Sequence, residues 1–130
     1  MMKVKVPGER KTMDVGYDAV VVYKKYYEEK GSQYRITAYT DLLKALDTER
    51  ENGVVFDEES FETFINNYMD VLIQNRRTIR KQLKEEKDPN KKAELKQLRK
   101  QNIKSFAYVG WFSNKYRRLR AAATANVAIH

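Results

Sequence analysis

Apolar residues in the second half of the chain recur at intervals of three and four, the spacing that places them on one face of an α-helix. The clearest stripe consists of Phe61, Ile65, Tyr68, Leu72, Ile79 and Leu83. Asp57, Glu58 and Glu59 precede it, and acidic residues stabilise the positive N-terminal end of a helix dipole. The pattern predicts a helix that begins at residue 57 and extends to Lys87.

A second stripe with the same spacing follows after a short interruption. Asp88 and Pro89 supply an N-cap and a proline at the first helical position. The positions with this spacing that follow are Leu95, Leu98, Asn102, Phe106, Val109, Tyr116 and Leu119. Gly110 is expected to kink this helix or to divide it. Because two long helices joined by a short turn form an αα-hairpin, we predict such a hairpin over residues 57–120.

A further helix is predicted in the N-terminal third of the chain. It is expected to begin at a cap formed by Asp14 or Asp18 and to end near Lys30, with Gly31 as its stop. Three consecutive valines at 20–22 favour a strand. Tyrosines at helical spacing come directly after them, however, and these favour the helix.

The last predicted helix of the first half is short. Thr40 is a favourable N-cap, and Asn52 followed by Gly53 is a typical helix end. Minor β elements are predicted near residues 3–6, 34–38 and 54–56.

These elements predict a mainly α protein of about four helices, with a long αα-hairpin and minor short β elements. The length of 130 residues fits one domain. Within residues 1–130 we expect an extended arm over 1–13 and a small helical part over 14–56. The hairpin with its basic face follows over 57–120, and a tail over 121–130.

The residue inventory excludes most catalytic chemistry. The chain has no cysteine and one histidine, His130, which removes thiolate metal sites, disulfides and histidine-based triads. We therefore predict no enzyme, no catalytic residues, no metal site and no cofactor. No apolar stretch approaches the ~20 residues that span a bilayer, and the first residues lack the apolar region of a signal peptide. The expected location is intracellular, cytoplasmic or within a virus particle, and neither secreted nor transmembrane.

Positive charge is concentrated in the predicted hairpin. The chain has 26 Lys and Arg against 18 Asp and Glu, for a net charge of +8. Residues 76–120 hold 16 of the basic residues and only four acidic ones, so this segment carries +12 and the remainder −4. Exposed ion pairs contribute roughly 0–1 kcal/mol each, so helix stabilisation does not explain such an excess.

The basic face is the candidate binding site, for either the phosphate backbone of nucleic acid or an acidic protein. Contacts of this kind set position rather than sequence preference. The candidate residues are Arg76, Arg77, Arg80, Lys84, Lys92, Lys96, Arg99, Lys100, Lys104, Lys115, Arg117, Arg118 and Arg120.

The densest aromatic segment, 106–112, has two interpretations. Its side chains spread over several helix faces, which favours a core cluster packed on Phe61, Phe64 and the first helix. Alternatively, Tyr108, Trp111 and Phe112 are interface aromatics that stack on bases or contact a partner.

Together these features predict a non-enzymatic structural or accessory subunit of a larger nucleoprotein assembly, of the kind found in virus or phage particles. Its basic hairpin would dock on nucleic acid or on an acidic subunit. Its other partners would be protein subunits, so an oligomeric or assembly-bound state is expected, without a membrane. The alternative is a free-standing DNA- or RNA-binding protein with a regulatory or replication-accessory role. No motif of the chain identifies a protein family.

Overall fold

The structure is a computed structural model, which describes the backbone of residues 2–129 and the side chains of residues 2–124. Within that range the chain is mainly helical, with five helices and one two-stranded sheet. The elements are β1 (Lys3–Lys5), β2 (Thr12–Asp14), α1 (Tyr17–Lys30), α2 (Gln33–Glu51), α3 (Glu58–Glu85), α4 (Pro89–Gly110) and α5 (Asn114–Ile129). None of these helices is both long and apolar enough to cross a membrane.

The predicted αα-hairpin is confirmed as α3 and α4. Asp57 caps α3 through a capping box: the Ser60 backbone N–H donates to the Asp57 carboxylate at 2.8 Å, and the Asp57 N–H donates to the Ser60 hydroxyl at 2.9 Å. The hydrogen bonds from Ser60 lower the pKa of Asp57. Asp88 caps α4, whose first residue is Pro89. The helix α3 ends at Glu85, two residues before the predicted end at Lys87.

Gly110 divides the second helical stretch, which was one of the two predicted outcomes. A Cβ atom at this position would lie 2.6 Å from Cε1 and 2.8 Å from Cγ of Tyr116, far inside van der Waals contact. The missing side chain therefore lets the Tyr116 ring pack against the end of α4. The predicted tail over 121–130 is wrong for residues 121–129, because these residues continue the helix α5 to Ile129. His130 lies outside the described residues.

The predicted first helix is confirmed between Tyr17 and Lys30, with Gly31 in a left-handed conformation (φ 70°) as its stop. The predicted caps are wrong. Gly16 is the N-cap residue, Asp14 ends β2 and Asp18 lies in the first helical turn.

Two predictions for the second helix are wrong. The helix begins at Gln33 rather than at Thr40, and residues 34–38 are helical rather than a β element. The buried residues Ala38, Tyr39, Leu42 and Leu46 follow helical spacing and face the core. Because α2 buries this stripe, residues 34–38 extend the same face instead of alternating across a sheet.

The N-terminal arm is a β-hairpin packed onto the helices. β1 and β2 are antiparallel, with Val4 opposite Met13, and Val4 is 2% exposed. The Tyr23 hydroxyl of α1 donates to the Lys5 carbonyl. The predicted element at residues 3–6 is thus confirmed. The one at 54–56 is wrong, because these residues form a connector in which Val55 stands in solvent.

The core lies at one end of the helical hairpin. α2 packs against both α1 and α4, and α4 packs against α3. The buried apolar residues of α3 are Phe61, Ile65 and Met69, all in its first half, and Val109 is the buried apolar residue of α4. Residues 77–99, named here the distal hairpin, contain no fully buried residue. They therefore project from the core as a two-helix arm.

The buried Tyr39 and the half-buried Tyr23 and Tyr68 make the core sensitive to alkaline pH. Burial raises the pKa of Tyr39 and that of Tyr23, and raises the pKa of Tyr68 to about 12. In the unfolded chain a tyrosine titrates near ~10. Above pH ~10 the unfolded state therefore releases protons that the folded state retains, and the free energy of unfolding falls. The fall is up to ~1.4 kcal/mol per pH unit for the buried Tyr39 and smaller for the half-buried Tyr23 and Tyr68.

The variant Tyr39→Phe is expected to flatten this fall, because it keeps the buried ring and removes one titrating hydroxyl. Urea midpoints measured from neutral pH upward would show it. Tyr34→Phe is the control: its hydroxyl accepts side-chain hydrogen bonding from Gln97 and lies near lysines, and its pKa is lowered. A fall equally steep in Tyr39→Phe and in the wild type would contradict the expectation.

Candidate anion-binding surfaces

The distal hairpin is covered with basic side chains that stand in solvent. All of its nine basic residues are exposed, namely Arg77, Arg80, Lys81, Lys84, Lys87, Lys91, Lys92, Lys96 and Arg99. Ile79, Leu83 and Leu95 are half-buried and form the narrow seam between the two helices. Since the seam takes up the apolar side of each helix, the charged side chains point outward.

The structure pairs none of these cations with a carboxylate. Among the described side chains, the two ion pairs are Lys3–Asp14 and Lys24–Glu28, both outside the hairpin. The distal hairpin holds four acidic residues, and two of them order the turn. Glu86 accepts the backbone N–H groups of Lys87 and Asp88 at 3.2 and 3.1 Å, while Asp88 caps α4. The distal hairpin therefore presents an excess of five positive charges to solvent.

Arg76, which was predicted to belong to the binding face, is half-buried at the root of the arm and makes contacts within the protein. Its Nε donates to the Asn102 side chain at 2.9 Å, and the Asn102 amide donates to the Leu72 carbonyl at 2.8 Å. The guanidinium also lies 5.3 Å from the Phe106 ring centre. These contacts tie α3 to α4 where the arm leaves the core.

Asn102 is a residue whose role the sequence reasoning missed. It is 7% exposed and occupies an apolar position of the α4 stripe. A polar residue in such a seam typically fixes the register of two helices, and this signal was present in the sequence.

Removing the Asn102 amide is expected to destabilise the protein. In Asn102→Ala, the Arg76 Nε loses its partner inside the helix interface and the Leu72 carbonyl loses its contact with α4, at a cost of about 1–3 kcal/mol. Urea unfolding measures the change. Asn67→Ala, at an exposed site of the same helical hairpin, is the matched control and should change stability by less than ~0.5 kcal/mol. Equal effects of the two variants would contradict the role of Asn102.

Lys100 and Lys104 do not belong to the projecting arm but lie next to the start of α2. Their ammonium groups lie 5.3 and 4.8 Å from the Tyr34 ring centre. Gln97 donates to the Tyr34 hydroxyl at 3.2 Å, and Gln101 to the Tyr34 carbonyl at 3.0 Å. The hydrogen bond with Gln97 lowers the pKa of Tyr34, and the neighbouring lysines act in the same direction. Both lysines thus mark the boundary where α2 crosses α4.

The remaining predicted cations form a second basic surface at the start of α5. Arg117 donates to the Lys3 carbonyl at 2.8 Å, and its guanidinium lies 5.4 Å from the Trp111 ring centre. The Arg120 guanidinium lies 5.0 Å from the same ring. Lys115 and Arg118 are exposed beside them.

Glu62 of α3 holds this second surface in place. Its carboxylate accepts the backbone N–H groups of Asn114 and Lys115 at 2.9 and 3.3 Å, which caps the N-terminus of α5. The adjacent Ser113 hydroxyl donates to Asn66 at 2.6 Å. The start of α5 is therefore fixed relative to α3.

The aromatic segment is mostly core, as the favoured interpretation predicted, and the alternative of an interface role does not fit Phe112. Phe112 is fully buried, with its ring centre 5.1 Å from that of Tyr23 and 6.1 Å from that of Tyr39. Tyr108 is half-buried, and the Arg35 guanidinium lies 4.7 Å from its ring centre. Trp111, by contrast, remains 41% exposed.

Most of the predicted basic residues thus lie on two surfaces at opposite ends of α4, the distal hairpin and the start of α5. Arg76, Lys100 and Lys104 lie between these two surfaces. The 22 residues of this helix span about 33 Å between the turn of the hairpin and Trp111. No group of three or more candidate metal ligands occurs among the described residues. No protein-family model, curated protein or solved structure matches the chain. Function is therefore inferred from the side chains themselves.

Proposed function

We propose that the chain is a non-enzymatic accessory subunit of a nucleoprotein assembly, of the kind that forms virus particles, and that its distal hairpin binds the phosphate backbone of nucleic acid. One observation carries the proposal: nine exposed basic side chains on a projecting arm have no carboxylate partner among the described residues.

Repulsion between the closely spaced basic side chains of the distal hairpin supports a polyanionic partner. Like charges four positions apart on a helix, such as Arg80 and Lys84 or Lys92 and Lys96, repel one another and weaken the helix. A phosphate backbone removes this repulsion and releases its own counterions when it binds. The arm thus gains stability from the contact that it makes.

The dimensions of the arm suit a duplex. About ten residues of each helix make an arm of roughly 15 Å, and duplex DNA carries about nine phosphates over that length. The basic side chains surround both helices, so about half of them face one duplex. Lys and Arg contacts of this kind position the protein without reading bases, and sequence-independent binding is expected.

Charge segregation supports the role of a subunit. The chain outside residues 76–120 carries a net charge of −4, so the arm and the rest of the molecule favour different partners. The arm would reach the nucleic acid while the other surfaces contact neighbouring proteins.

Fluorescence anisotropy with labelled duplexes of unrelated sequence tests the binding. We expect micromolar affinity at about 50 mM salt, equal for all sequences, and a log–log salt dependence with a slope of about −4. Polyglutamate serves as the competitor. Failure to bind at low salt, a preference for one duplex, or stronger displacement by polyglutamate than by unlabelled duplex would each overturn the proposal, the last in favour of an acidic protein partner.

Isolation of the tagged chain from its source at low salt tests the subunit role. We expect other proteins and nucleic acid to be recovered together with it. Recovery of the chain with nucleic acid alone would instead favour a free-standing binding protein.

A further inference from the structure

A groove separates the β-hairpin from the start of α5. It has a volume of about 740 Å³, within the ~300–1,000 Å³ range of ligand sites. Two chain segments about a hundred residues apart form its walls. Its lining residues are Lys3, Lys5, Trp111, Tyr116, Arg117, Arg120, Ala121 and Thr124.

The groove is positively charged and has no acidic lining residue. Lys3 is paired with Asp14, so its charge is largely compensated. Lys5, Arg117 and Arg120 are the remaining cations. Arg117 is anchored, because one terminal nitrogen donates to the Lys3 carbonyl and its Nε is buried. Arg120 and Lys5 are exposed and free to contact a ligand.

Trp111 supplies a planar apolar surface between these cations. The guanidinium groups of Arg117 and Arg120 lie 5.4 and 5.0 Å from its ring centre, while the side chain stays 41% exposed. Aromatic rings and guanidinium planes are the groups on which unstacked nucleobases stack.

We infer that this groove is a second nucleic-acid site and that it binds a single strand. A base would stack against Trp111, and the flanking phosphates would contact Lys5 and Arg120. Duplex nucleic acid fits the groove poorly, because its bases are already stacked and cannot enter a concave surface. An acidic peptide would satisfy the cations but would leave the Trp111 surface without a planar partner. The inference rests on the proposed function only because both take nucleic acid as the ligand. The residues of the groove are not those of the distal hairpin.

A single strand in the groove and a duplex on the distal hairpin would occupy opposite ends of α4, about 33 Å apart. One molecule would then hold two segments of nucleic acid, or the two parts of a junction.

Trp111 is the only tryptophan of the chain, so its fluorescence reports on the groove. The full chain is titrated with an oligothymidylate of about ten nucleotides, a length typical of single-strand sites. We expect saturable quenching that a duplex of equal length does not produce. Arg120→Glu should weaken this binding about tenfold or more, as the loss of a charge-assisted contact implies. Lys5→Glu, on the opposite wall, is the second variant should Arg120→Glu fail to fold.

Arg118→Glu is the matched control, because Arg118 is an exposed neighbour that does not line the groove. Its effect should stay below about threefold, the size expected from net charge alone. Equal effects of Arg118→Glu and Arg120→Glu would overturn the inference. So would quenching by duplex or by polyglutamate as strong as that by the oligothymidylate.

A variant with reversed charges on the distal hairpin separates the two proposals. If that variant loses duplex binding but keeps the quenching of Trp111, both sites are supported. If the wild type binds the oligothymidylate by anisotropy without any change in Trp111 fluorescence, the groove assignment is wrong and the hairpin proposal stands. If quenching saturates while reversal of the hairpin charges leaves duplex binding intact, the groove stands and the hairpin proposal fails.

Discussion

Reversing four charges of the distal hairpin is expected to weaken duplex binding about a hundredfold or more at low salt. The variant combines Arg80→Glu, Lys84→Glu, Lys92→Glu and Lys96→Glu. All four side chains are exposed, and none of them makes an ion pair within the described residues, so the fold should be retained. Each lost phosphate contact lowers the salt slope by about one. Anisotropy titrations at several salt concentrations measure both effects.

A second variant with the same change in net charge provides the control. It combines Arg10→Glu, Lys11→Glu, Lys25→Glu and Lys44→Glu, four exposed sites outside the hairpin. Long-range electrostatics alone are screened within about 10 Å at 0.1 M salt, so a loss of less than ~tenfold is expected. If both variants lose the same affinity, net charge rather than the arm drives binding. Circular dichroism checks that each variant is folded.

Phe112→Ala is expected to have the largest effect on stability. The side chain is 0% exposed and contacts the rings of Tyr23 and Tyr39 edge-on, so it joins the end of α4 to α1 and α2. Truncating a buried phenylalanine costs about 3–5 kcal/mol. The total stability of a domain is about 5–15 kcal/mol, so this single change brings the protein close to unfolding. Urea unfolding of the purified variant measures the loss.

The adjacent aromatic residue distinguishes core from surface. Trp111→Ala removes a larger side chain that is 41% exposed, and a loss of about 1 kcal/mol is expected. If Trp111→Ala destabilises the protein as much as Phe112→Ala, the assignment of Phe112 to the core and Trp111 to the surface is wrong.

Local signals predicted the helical hairpin well. The cap at Asp57, the Asp88–Pro89 start and the apolar stripes are interactions between residues close in the chain, and they specify helix ends without tertiary information. The exposure of the hairpin cations follows from the same stripe, because a narrow apolar seam leaves the rest of each helix in solvent.

The secondary structure was predicted wrongly where contacts between residues distant in the chain determine it. Residues 34–38 alternate like a strand, but α2 is held by α4, whose Gln97 and Gln101 donate to Tyr34 across more than sixty positions. The local sequence near residue 34 does not indicate these contacts with α4. Helical packing therefore overrode the local preference.

Tertiary contacts also explain why the predicted basic residues do not form one continuous site. Arg76 and Arg117 resemble the other cations in the sequence, yet each donates to a partner that only the fold brings near, Asn102 for the former and the Lys3 carbonyl for the latter. The groove was missed because Lys3 and Lys5 lie more than a hundred positions from its other wall. Phe112 and Trp111 are neighbours whose opposite environments depend on which face α1 and α2 cover.

Lysine acetylation, followed by mass spectrometry in the presence and absence of duplex, tests the phosphate contact most directly, because it needs no variant. Six lysines of the distal hairpin report on the arm, namely Lys81, Lys84, Lys87, Lys91, Lys92 and Lys96. Lys11, Lys25 and Lys44 are exposed reference sites elsewhere. Bound duplex is expected to slow acetylation within the hairpin and to leave the reference sites unchanged. Equal slowing everywhere, or protection confined to the reference lysines, would contradict a nucleic-acid contact made by the hairpin.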